Sequence, residues 1–154
     1  MQGKYIYTHK ERVRTVCGML RKYAANKREL DEFDQDASEL RAHEPAPLRS
    51  GRVSDPTARA ACKRADAPSG MQYKREWVAA ITDARAECKV IDEREDSGYN
   101  LEFVLVNTYS LDLQEPLSRQ EIMRACHFSV ATYYSRMAMI REIVMHHAAK
   151  HGLL

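Results

Sequence analysis

No stretch of this chain approaches the roughly 20 consecutive apolar residues that a bilayer span requires, and mean hydropathy is −0.57. The opening residues, MQGKYIYTHKERVR, hold no apolar h-region, so no secretory signal is expected. Glycine (6) and proline (5) are sparse among 154 residues, which excludes a collagen-like or wholly low-complexity chain. Charge of one sign is also lacking. Lys and Arg total 24 against 22 Asp and Glu, for a net +2, so bulk charge cannot hold a nucleic acid and any such contact needs a local patch. The four cysteines, Cys17, Cys62, Cys88 and Cys126, stand far apart without a C-x-x-C pair; neither a structural zinc site nor a disulfide framework is expected. There is no Gly-rich phosphate loop, no G-x-S-x-G elbow and no paired-carboxylate motif. His147 and His151 are spaced i, i+4, but no H-E-x-x-H accompanies them. With His146 they read as the basic end of a helix, where the dipole favours cations. No catalytic site, metal or cofactor is expected.

What is present is helical periodicity. Over residues 11–33, Val13, Val16, Leu20, Tyr23, Leu30 and Phe33 fall mostly at steps of three or four, with bases on the other faces. Acids dominate 29–39, as a continuation of that helix or a frayed end. Residues 41–70 hold four of the five prolines and few large apolar side chains, and read as a polar linker. Within it Ser54-Asp55-Pro56-Thr57 offers a start for a short helix through Lys63. A long helix fits residues 72–93, with Trp77, Ile81, Ala84, Cys88 and Ile91 on one stripe and Ser97-Gly98 as its stop. Trp77, Cys88 and Cys126 read as packing residues. Residues 101–113 place Leu101, Val104, Leu105, Thr108 and Tyr109 on one helical face; the run FVLV alone would also suit a strand, but no partner strand is in evidence.

The informative segment follows Pro116. Ser118 and Glu121 have the S-x-x-E spacing of a capping box, which predicts a short helix from Arg119 to about Cys126. Three residues later Ser129 is a good N-cap for a second helix from Val130, with Tyr133, Met137, Ile140 and Val144 as its core stripe. A short helix, a tight turn and a longer helix make a helix-turn-helix. Ile122, Cys126, Phe128, Tyr133 and Met137 would lock the pair. The first turns of the second helix would enter the major groove of duplex DNA. Val130, Ala131, Tyr134 and Ser135 would face base edges, with Ser129 touching phosphate. Arg119, Gln120, Arg124 and Arg136 would meet the backbone. From Pro116 onward there are five bases and two acids, whereas residues 71–98 carry five and seven.

The run QEIMRACHFSVATYY resembles the pattern Q-E-I-A-x-x-L-G-V-S-x-A-T-V-Y of bacterial helix-turn-helix regulators. Met123 stands where that pattern has Ala, and His127 where it has Gly. The helix before it, followed by EPLSRQEI, is similar to the layout of sigma-factor region four. The wider order is similar to small phage-encoded transcriptional regulators of the ArpU and RinA kind, which act on late or packaging genes. That order runs from an N-terminal helix, through a polar linker with SDPTARAA, to a Trp-bearing helix, an aliphatic helix and a terminal helix-turn-helix. The resemblance implies binding of double-stranded DNA in a bacterial cytoplasm, without enzymatic activity.

The expectation is therefore an all-α helical bundle: an N-terminal helix (1–40) for docking or assembly, a linker (41–70), and a DNA-binding domain (71–154) with the helix-turn-helix at 118–150. One helix in one groove gives little affinity, and the chain is nearly neutral, so a homo-oligomer on repeated half-sites is expected, with RNA polymerase as a further partner and no membrane. Two alternatives stand beside it. One is a small terminase-like DNA-packaging subunit; the other is a helical protein–protein adaptor that does not touch DNA.

Overall fold

The computed structural model describes residues 7–42, 69–94 and 97–154. They form five helices and no strand: α1 His9–Ala42, α2 Ser69–Glu93, α3 Leu101–Tyr109, α4 Arg119–Cys126 and α5 Val130–Lys150. The fold class is all-α, a helical bundle. Among the described residues no helix is long and apolar enough to cross a membrane. Apart from 41–42 and 69–70, which belong to α1 and α2, the linker expected at 41–70 lies outside the described residues, with its short helix through Lys63 and with Cys62.

Thr8 and Glu11 start α1. The Glu11 N–H donates to Thr8 Oγ1 at 3.3 Å, and the Thr8 N–H donates to Glu11 Oε2 at 2.7 Å. This reciprocal box satisfies two orphan donors, and T-x-x-E is legible as a helix start that periodicity alone places later. The helix runs through the acidic stretch to Ala42, so that stretch is a continuation of α1.

The chain divides into two compact units, Met1–Ala24 with Glu76–Leu154, and Ala25–Arg75. In the second, Leu30 and Ala37 are buried. Arg75 forks onto Asp34 with bonds of 3.1 and 3.0 Å, and this hydrogen bonding raises the guanidinium pKa against partial burial. Lys74 pairs with Glu29. Both pairs are exposed enough that each contributes no more than about 1 kcal/mol.

The first unit holds the main core. Trp77, Ile81, Ala84 and Cys88 of α2 are buried, as their stripe predicts, in one cluster with Val16 and Leu20 of α1, Leu101, Val104 and Leu105 of α3, Ile122 of α4, and the α5 stripe. A wholly buried side chain of this size contributes roughly 1.5–3 kcal/mol, so these positions dominate the stability of the unit. Cys17, Cys88 and Cys126 are free thiols. Burial, with Asp92, Glu87 and Glu102 nearby, pushes the Cys88 thiol up to about 12. Cys126 lies half-buried at the core edge, and burial raises its thiol too.

Two local features set the ends of α3. Asn100, immediately before the helix, is left-handed (φ 51°) and caps nothing with its side chain. Asp92, in the last turn of α2, does the capping instead: its two carboxylate oxygens accept the Leu101 and Glu102 N–H groups at 2.8 and 2.9 Å. At the other end α3 stops at Tyr109, not at Leu113 as its apolar pattern predicts, because Ser110 turns left-handed (φ 53°) and returns its N–H to the Val106 carbonyl. Leu111 then drops into the core, and the Gln114 side chain donates to the same carbonyl at 2.9 Å. Arg85 of α2 braces this corner, bidentate to Asp112 (2.7 and 2.9 Å) and bonded to Glu102 (3.1 Å).

Candidate nucleic-acid interface

The Leu117 N–H donates to the Asn107 carbonyl at 3.0 Å and so ties the start of α4 to α3. Ser118 is extended (φ −68°, ψ 160°) and completes the capping box: its Oγ accepts the Glu121 N–H at 3.3 Å, and Glu121 Oε2 accepts the Ser118 N–H at 2.7 Å. These bonds from Ser118 hold the Glu121 carboxyl below its ordinary range. Ile122, wholly buried, anchors α4 to the core.

The turn is three residues. His127 is left-handed (φ 55°, ψ 39°) and its N–H returns to the Arg124 and Met123 carbonyls. The Phe128 N–H donates to the Met123 carbonyl at 2.9 Å. This is the conformation in which the resembling pattern places glycine, and histidine is among the residues that adopt it more readily than most. Ser129 (φ −73°, ψ 165°) then caps α5, its Oγ accepting the Thr132 N–H at 3.1 Å. Both helix boundaries and both caps match the sequence expectation. Tyr133, Met137, Ile140 and Val144 are buried.

The expected contact residues fall into three environments. Val130 and Tyr134 are half exposed, at 51% and 50%, and Ala131 and Ser135 are exposed beside them on the first turns of α5. Arg119, Gln120 and Arg124 are exposed on α4. Ser129 is exposed too, but its hydroxyl is already engaged with Thr132, at 2.9 Å to Oγ1 and at the capping N–H. Arg136 differs from the other arginines: it is half-buried, its guanidinium 4.0 Å from the Tyr99 ring centroid and 5.8 Å from that of Phe128. Its charge thus packs between the α2–α3 connection and the turn, a contact no sequence spacing signals.

Arg119 and Tyr134, fifteen positions apart, meet directly. Arg119 Nη1 donates to the Tyr134 hydroxyl at 2.5 Å, with Cζ 5.7 Å from the ring centroid. Tyr134 also packs edge-to-face with Tyr133 at 5.5 Å and 75°. From Arg119 to Ser135 the chain carries two bases, Arg119 and Arg124, and one acid, Glu121, so this stretch is cationic by one charge.

The far end of α5 is the basic helix end that the sequence leads one to expect, with further contacts. His147 and His151 do more than terminate a basic helix: His147 Nε2 lies 2.5 Å from Glu87 Oε2, and His151 Nε2 lies 2.9 Å from Asp83 Oδ2. Two i, i+4 pairs, one at the C-terminal end of α5 with its cap residue His151 and one on α2, thus face each other across the bundle. Among the described residues no group of three or more His, Cys, Asp or Glu is placed to hold a metal ion.

No family model, curated protein or solved structure matches this chain.

Proposed function

We propose that this chain binds duplex DNA sequence-specifically through α4, the turn and α5, and acts as a transcriptional regulator of the phage or prophage late-gene kind, without catalysis of its own. The observation that carries the reading is the exposed N-terminal end of α5. It is held rigid by two side-chain caps and a left-handed corner, and it stands beside the exposed cations Arg119 and Arg124. An α-helix about 10–12 Å across matches a major groove of about 12 Å. Val130, Ala131, Tyr134 and Ser135 then face the bases, and Arg124 a phosphate. The near-neutral chain supplies little non-specific attraction. Function therefore calls for a homo-oligomer spanning repeated half-sites, with RNA polymerase as the further contact when it activates.

The test is selection from a random duplex library, then gel shift on the recovered sequence at moderate salt. Arg124→Ala should weaken binding to all sequences alike and lower the salt slope by about one. Folded protein that retards no sequence specifically would sink the proposal. A large ring by light scattering would favour a packaging subunit instead.

A further inference from the structure

We propose that Arg119 is a positioning residue for base recognition: it orients the Tyr134 hydroxyl as a hydrogen-bond donor, so that Tyr134 selects an acceptor-bearing base edge and rejects cytosine. This rests on the DNA-binding reading above. The sequence expectation puts Arg119 on a phosphate, but its guanidinium is turned onto Tyr134 at 2.5 Å. Arg119 is the first residue of α4, directly after the capping-box residue Ser118. The tyrosine ring also makes an edge-to-face contact with Tyr133, which is only 7% exposed. The half-exposed ring is therefore engaged at its hydroxyl tip by Arg119 and along the ring by Tyr133.

The polarity of that tip depends on the partner. A guanidinium has only donors, so its bond uses the accepting side of the phenol oxygen. The phenolic hydrogen is left pointing away from Arg119, toward whatever occupies the groove. An outward donor pairs with O6 or N7 of guanine, N7 of adenine or O4 of thymine. It opposes the N4 amino group, the one polar group cytosine shows in the major groove. A lone tyrosine would read either kind of edge by rotating its hydroxyl; the charged donor removes that freedom.

The experiment measures binding of the full chain to its selected site and to all single-base variants of that site. Wild type, Arg119→Met, Tyr134→Phe and the double variant are compared at several salt concentrations. Both side chains are exposed, and circular dichroism checks that the variants fold. Each single variant should lose about tenfold discrimination against cytosine, the worth of one such hydrogen bond, at one and the same base position. The double variant should lose no more than either single one, and the salt slope of Arg119→Met should stay at the wild-type value. A uniform loss over all sequences with a slope lowered by about one would make Arg119 a phosphate clamp and overturn the proposal, as would additive losses or losses at different positions. Those outcomes leave the DNA-binding reading intact. Wild type that binds no site specifically overturns both.

Discussion

Replacing Asp92 by alanine should loosen the unit that carries α4 and α5 from a distance. α3 begins with two N–H groups that, among the described residues, Asp92 alone satisfies, at 2.8 and 2.9 Å, because the adjacent Asn100 offers no side-chain cap. A hydrogen bond to a charged group contributes about 1.5–3 kcal/mol, and an N-cap typically about 1 kcal/mol. Asp92 is half-buried, so water recovers part of the loss. The expected cost is about 2–3 kcal/mol, or a Tm lowered by roughly 5–10 °C for a chain of this size. Asp92→Asn keeps one acceptor without the charge and should fall about midway. Urea unfolding monitored by circular dichroism gives the stabilities, with Glu93→Ala, an exposed neighbour, as the control that changes by less than about 0.5 kcal/mol. The same bonds matter for the interface, because the Asn107 carbonyl of α3 holds the Leu117 N–H at the entry to α4. If Asp92→Ala is no more costly than Glu93→Ala, the cross-helix cap does not hold α3, and the reasoning fails.

Three further outcomes are expected. His127→Gly should stabilise the chain by about 0.5–1 kcal/mol: a left-handed residue with a side chain is strained by roughly 1–2 kcal/mol, and the greater freedom of unfolded glycine offsets part of the gain. A lower Tm would show that the histidine makes a compensating contact. Ile122→Ala removes the wholly buried anchor of α4 and should cost about 2–4 kcal/mol in chemical denaturation, and the proposed DNA binding should weaken in parallel. Stability should also fall in alkali. The Cys88 thiol, ordinarily at 9.0, is held up to about 12 in the folded chain, chiefly by burial. Below the lower value both states keep the proton and pH has no effect through this group. Above it the unfolded chain ionises first, and stability drops by about 1.4 kcal/mol per pH unit until the folded thiol titrates. Cys88→Ala should flatten that slope by about one proton; an unchanged slope would assign the loss to other groups.

Much of the interface is legible because its signals are local. A capping box needs only Ser118 and Glu121 three positions apart, and the N-cap at Ser129 acts on an N–H three residues on. Both describe a backbone that closes on itself within one turn, so their spacing specifies geometry directly. The same holds for the stripes of α2 and α5, where a 3.6-residue period decides which face must leave water. The capping box at Thr8 and Glu11, which periodicity misses, is equally local. The short α3 is not. Its apolar pattern continues to Leu113, but the pull of Leu111 into the core and the bracing of Asp112 by Arg85 end the helix at Tyr109.

The sequence by itself determined that the chain is helical, the bounds and caps of α4 and the start of α5, the three-residue turn between them, and which of Tyr133 and Tyr134 is buried. Only the tertiary structure decided what the long polar side chains do. Arg136 packs on Tyr99, His147 and His151 face Glu87 and Asp83, Asp92 caps a helix that is not its own, and Arg119 takes hold of Tyr134. The reason is physical: a cap or a stripe depends on neighbours three or four residues away. A cross-helix partner depends on how two helices are rotated and spaced when they pack, which is set by the shapes of Trp77, Ile122 and the rest of the core together.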